Sequence, residues 1–98
     1  MSNSIIEIAQ KLVIKDLDIV DPKLSFSTIE KLKDWLSGEI SMLIDRDIQR
    51  LMNILYRIDV DEQNTKAAFA DNNPAMRLAE LIIKRELQKV KSRKKYRN

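Results

Sequence analysis

The sequence predicts an all-α fold, a small irregular bundle of four or five helices. Three observations carry this. Apolar residues recur at spacings of three and four along most of the 98-residue chain, the period of one helix face. Ser, Thr, Asp or Asn stands ahead of the apolar runs, as helix N-caps require. One Gly and two Pro leave few of the turn residues that a β fold needs. With 44% hydrophobic residues, about 43 side chains are available for one core, and a chain of this size buries roughly 65% of its extended surface on folding. The expected organisation is one helical domain over 1–92 and a basic C-terminal tail over 93–98.

Ser4-Ile5-Ile6-Glu7 has the form of a capping box, and Ile5, Ile8, Ala9, Leu12 and Val13 follow at helical spacing. A first helix over 4–15 is expected, ended by Asp16, Asp18, Asp21 and Pro22. Leu17, Ile19, Val20, Leu24 and Phe26 anchor the loop that follows. Ser27-Thr28-Ile29-Glu30 is a second capping box, and Ile29, Leu32, Leu36, Ile40 and Leu43 continue from it. Gly38 inside this helix costs roughly 1 kcal/mol relative to Ala, and is expected to admit a closely packed neighbour. Asp45-Arg46-Asp47 interrupts the pattern before Ile48, Leu51, Met52, Leu55 and Ile58. The stripe also runs through without a gap, so 28–57 is either one long helix or two; a break near 45, capped by Asp45, is preferred. Asp59-Val60-Asp61-Glu62 reads as a turn and a cap for a short helix over 62–70, burying Ala67, Ala68 and Phe69. Asp71-Asn72-Asn73-Pro74 is the sharpest boundary, with Asn73 suited to the N-cap and Pro74 to the first helical position. The last helix is expected to run to about 92. Its apolar arc is wide at 78–83, so contact on more than one side is expected, from the core or from a second subunit.

Composition excludes several chemistries. Without Cys there is no disulfide, thiolate nucleophile or cysteine zinc site. Without His there is no imidazole acid–base catalysis and no His-containing metal site. No apolar run reaches the ~18 residues of a membrane span, and no signal-peptide pattern opens the chain, so no membrane insertion and a cytoplasmic location are expected. The seven serines sit in no Gly-x-Ser-x-Gly elbow. The acidic groups Asp16/Asp18/Asp21, Asp45/Asp47 and Asp59/Asp61/Glu62 sit at helix ends, where capping accounts for them. A calcium loop counted from Asp59 fails, with Asn64 where Gly belongs and Ala70 where Glu belongs. No cofactor, no metal and no enzymatic activity are expected.

Charge is divided unevenly. Residues 84–98 carry eight Lys/Arg against Glu86 alone, a net +7, while residues 1–83 carry a net −4. Lys89, Lys91, Arg93, Lys94, Lys95 and Arg97 are the candidate anion or nucleic-acid contacts, with Tyr96 available to stack on a base. Cations near a helix C-terminus also suit its dipole, and a solvated helix end accounts for the same residues. A helix–turn–helix over 46–70 is opposed by Asp61 and Glu62 at the start of its second helix. Trp35, Tyr56, Arg57, Leu81 and Ile82 are the candidate interface residues; Met42, Met52, Trp35, Tyr56 and Phe69 fall on or beside apolar stripes, where Met and aromatics serve interfaces as well as cores, with core the default.

Ile48–Glu62, IQRLMNILYRIDVDE, and Leu78–Lys89, LAELIIKRELQK, resemble segments of a group of small uncharacterised bacterial all-helical proteins. The resemblance covers under half of the chain. It implies an all-helical fold and no activity, and it draws attention to Tyr56, Arg57 and Asp59 at a helix end. Arg57 is expected there to satisfy helix-terminal carbonyls or to pair with Asp59 or Asp61. The resulting expectation is a non-enzymatic cytoplasmic protein-interaction module that forms a homodimer. The alternative is a nucleic-acid-binding accessory protein acting through the basic C-terminal helix and tail.

Overall fold

The computed structural model describes the backbone of residues 2–17 and 26–96, and side chains within 7–17 and 26–91. Among these residues five helices follow one another: α1 (Ser2–Asp16), α2 (Ile29–Arg46), α3 (Ile48–Ile58), α4 (Glu62–Phe69) and α5 (Pro74–Tyr96). No strand occurs among the described residues. The all-α expectation holds, with five helices.

The long α5 is the strut. It touches each of the other four helices, and α2 most extensively. Leu78, Ala79, Ile82 and Ile83 of α5 are buried against Leu32, Leu36 and Ile40 of α2, Leu51, Ile54, Leu55 and Ile58 of α3, Val13 and Leu17 at α1, and Ala68 of α4. The wide arc at 78–83 is thus covered by the core of a single chain. Ile19, Val20 and Leu24, the other expected loop anchors, lie outside the described residues. Phe26 is half-buried and its ring tilts against Trp35 with centroids 5.3 Å apart.

Helix ends follow capping chemistry, with four shifts from expectation. α1 begins at Ser2, so Ser4 lies inside the first turn. Ser2, Asn3 and Ser4 all tolerate that turn, and propagation by two residues outcompetes the Ser4 cap. α2 is capped by Thr28, not Ser27: Thr28 is extended and its hydroxyl accepts from the Lys31 N–H at 3.1 Å. Glu30 is then one place too early to close a box and pairs with Lys33 at 3.4 Å. The break between α2 and α3 falls at Asp47, not Asp45. Asp47 alone leaves the helical path, and its Oδ1 accepts from the Arg50 N–H at 3.1 Å. Its own N–H still donates to the Leu43 carbonyl at 2.8 Å, so one residue makes a sharp corner and the apolar stripe continues on both sides. Inside α2, Gly38 also departs from expectation and admits no neighbour: a side chain added there meets nothing within 4 Å.

The ends from Asp59 to Pro74 match, and the end of α5 is the fourth shift. α3 closes on Asp59, the one residue among those described with positive φ (67°). The Val60 N–H reaches back to the Leu55 carbonyl at 3.1 Å, and the Asp59 N–H donates to the Leu55 and Tyr56 carbonyls at 3.1 Å. This is a Schellman-type end in which Asp accepts the left-handed position usually given to Gly. Asp61 caps α4, its Oδ2 accepting from the Asn64 N–H at 3.0 Å. Of the residues expected to be buried there, Ala68 is buried and Phe69 half-buried, while Ala67 faces solvent. Asn73 caps α5, accepting from the Met76 N–H at 3.3 Å, with Pro74 first in the helix. α5 runs to Tyr96, past the expected 92, because the Lys- and Arg-rich end is helix-competent and its charges suit the dipole. No helix among the described residues is long and apolar enough to cross a membrane.

Candidate functional site

The most unusual side chain is Glu86. It stands four residues after Ile82 and four before Val90, so the helical period turns it into the core with them. Its side chain is 0% exposed. Oε1 accepts from Lys89 Nζ at 3.4 Å, while Oε2 meets no donor. Burial pushes this carboxyl up to about 7, the neighbouring Asp16 carboxyl adds to the rise, and Lys89 opposes it. Once protonated, Oε2 becomes a donor directed to the Asp16 carboxylate, which removes the unpaired buried oxygen.

Asp16 is the last residue of α1, and α3 fixes that end. Arg50 Nη2 donates to the Leu17 carbonyl at 3.0 Å, and Arg57 Nη1 donates to the Asp16 carbonyl at 3.3 Å. Arg57 therefore satisfies helix-terminal carbonyls, as one of its expected roles had it, but those of α1 rather than of its own helix. At the other side of α1, the buried Gln10 amide clamps Phe26: Nε2 donates to its carbonyl and Oε1 accepts from its N–H at 3.1 Å. A carboxyl titrating near neutrality has the profile of a general acid or base. Buried as it is, Glu86 has the geometry of a polar clamp between α1 and α5.

The basic candidates separate. Lys89 is turned to Glu86, whereas Lys91 is exposed. Arg93, Lys94 and Lys95 continue α5, with side chains outside those described, and Arg97 lies outside the described residues. Among the interface candidates, Ile82 is wholly buried and Trp35 and Leu81 are half-buried against the core. Tyr56, at 88%, and Arg57 are exposed. Ile48, not singled out for an interface, and Met52 share the Tyr56 face: Ile48 is 46% exposed and Met52 41% exposed. Positions 48, 52 and 56 are successive i, i+4 neighbours and line up along α3. Met42, also exposed, sits one turn before the corner at Asp47.

Several members of the acidic groups are occupied at helix ends, while Asp45 and Glu62 are exposed. Asp47 and Asp61 cap α3 and α4, and Asp59 pairs with Arg85 at 3.4 Å. Asp71, ahead of α5, is held below the usual carboxylate range by the Asn73 N–H and by Arg77, whose Nε lies 3.1 Å away. Asp18 and Asp21 lie outside the described residues. No group of three potential metal-ligating side chains assembles among the described residues.

Comparison with protein-family models, curated proteins and solved structures finds no match to this chain. Sequence reasoning missed Glu86, Gln10 and Arg50. A signal existed for the first two. Gln10 stands on the stripe through Val13 and Leu17, and Glu86 on the stripe through Ile82 and Val90. A polar residue on an apolar stripe marks a buried polar contact.

Proposed function

We propose that this protein is a non-enzymatic, cytoplasmic helical interaction module that self-associates through the outer face of α3. One observation carries the reading: among the described residues the large apolar side chains left exposed are Met42, Ile48, Met52 and Tyr56, and three of these form one stripe on α3. Grouped Met and aromatic side chains of this kind favour interfaces. A second copy is the occupant that fits. Two α3 helices packed antiparallel about a twofold axis bring Met52 against itself and Ile48 against the partner's Tyr56. The same arrangement sets Asp47, at the start of one α3, near the partner's Arg57, at the end of the other, and opposes the two helix dipoles.

Light scattering tests this. At tens of micromolar the chain is expected to give twice its 11.5 kDa mass, and Met52→Asp to give the single mass with unchanged circular dichroism. A wild-type mass of one chain, or a Met52→Asp dimer, overturns it. The net +7 of residues 84–98 favours a second reading, an accessory role on nucleic acid. That reading requires binding that is lost on truncation after Lys89 and weakens steeply with salt.

A further inference from the structure

A second surface lies away from the α3 stripe, where α2 and α5 form a groove of about 470 Å³. Its floor is apolar, made by Ile29, Ile83 and Leu87, and lysines stand around it: Lys33 from α2, Lys84 and Lys91 from α5. Glu80 also borders the groove, but it accepts from Arg77 at 3.3 Å. Lys33 is paired with Glu30 at 3.4 Å, whereas Lys84 and Lys91 are exposed and enter no ion pair among the described residues.

We propose that this groove binds an acidic amphipathic helical segment of a partner protein. The chemistry of the walls selects the class. Bare phosphate gains nothing from an isoleucine and leucine floor, and a neutral apolar ligand leaves the lysines without partners. The spacing narrows it further. Lys84 and Lys91 are seven residues apart, two turns and about 10 Å along the α5 axis. A single carboxylate offsets only one of the two charges, whereas two carboxylates offset both. A helix carrying Asp or Glu at positions seven apart presents charges at that same interval, and its apolar stripe faces the floor. The proposal rests on the interaction-module reading but not on self-association, since the α3 stripe contributes nothing to this groove.

The test uses the full chain and a fluorescein-labelled helical peptide with Leu along one face and two Glu seven residues apart beside it. Fluorescence anisotropy is expected to show saturable, salt-sensitive binding. The double variant Lys84→Glu/Lys91→Glu is expected to weaken it by about tenfold or more. A peptide of the same composition with both Glu moved to the opposite face is expected to weaken it similarly. Met52→Asp is expected to leave the affinity unchanged, so failure here and failure of self-association are separable. Lys84→Gln/Lys91→Gln, which introduces no repulsion, provides the second variant. Equal affinity for the two peptides, or affinity indifferent to both lysine variants, overturns the proposal. So does lysine-dependent binding of dodecanoate or duplex DNA with none of the peptide, which assigns the groove to a single head group or to phosphate.

Discussion

Replacing Glu86 by Gln is expected to stabilise the protein above neutral pH and to leave it unchanged in acid. The Gln carbonyl keeps the acceptor that Lys89 uses, and the amide N–H₂ supplies a donor toward Asp16 where the ionised Glu86 has none. The magnitude follows from linkage. Glu86 is raised to about 7 in the fold from an ordinary 4.5. A group raised on folding favours the native state fully below the unfolded value, and this advantage disappears as pH rises through the folded value. Wild-type stability should therefore fall between pH 4.5 and 7, by about 3 kcal/mol at roughly 1.4 kcal/mol per tenfold in proton affinity. Trp35, the sole tryptophan, is half-buried against Phe26 and reports unfolding. Urea titrations followed by its fluorescence at pH 4.5, 6 and 8 should give matching midpoints for the two proteins at pH 4.5. At pH 8 the variant should be the more stable by a few kcal/mol. A parallel pH slope in both proteins, or a variant less stable at pH 8, refutes the reasoning and makes Glu86 a satisfied anion held by Lys89.

Three further substitutions test the fold. Gly38→Ala should raise stability by roughly 0.5–1 kcal/mol, because the site is helical and open and only backbone entropy changes; thermal denaturation reads it, and destabilisation contradicts the open site. Asp47→Ala removes the cap at the α2–α3 corner and should cost about 1 kcal/mol in urea denaturation. Gln10→Met keeps the volume but strips both hydrogen bonds from the Phe26 backbone, and should cost roughly 1–3 kcal/mol; an unchanged midpoint would mean that water serves Phe26 equally well.

The bundle was legible because helical patterning and capping agreed along most of the chain. Asn73-Pro74 placed the start of α5 to the residue, since Pro there has one compatible position. The α2 start and the α2–α3 corner were each placed a residue or two early. Ser27 and Thr28, and Asp45 and Asp47, offer equivalent caps, and local sequence does not decide between them. Gly38 is ambiguous in sequence, because a Gly in a helix marks close approach and exposure alike. The Asp16–Glu86 clamp joins positions 70 residues apart, and local pattern carries no information about that pairing. Glu86 was counted as the lone acid among basic residues, although its place on the Ile82–Val90 stripe marked it as buried. The exposed α3 stripe is half visible in the sequence: Tyr56 and Met52 stand out as an aromatic and a Met beside the apolar stripe, while Ile48 reads as core because it shares the helical period of Leu51, Leu55 and Ile58.

Disulfide trapping at position 52 tests the account most directly, because the chain has no cysteine of its own. Met52→Cys places one thiol where the proposed twofold axis crosses α3, and Glu62→Cys places one at the exposed start of α4 as the control. On mild oxidation at micromolar concentration, Met52→Cys should convert largely to a covalent dimer and Glu62→Cys should remain monomeric. Equal trapping of both variants, or of neither, would contradict self-association through α3.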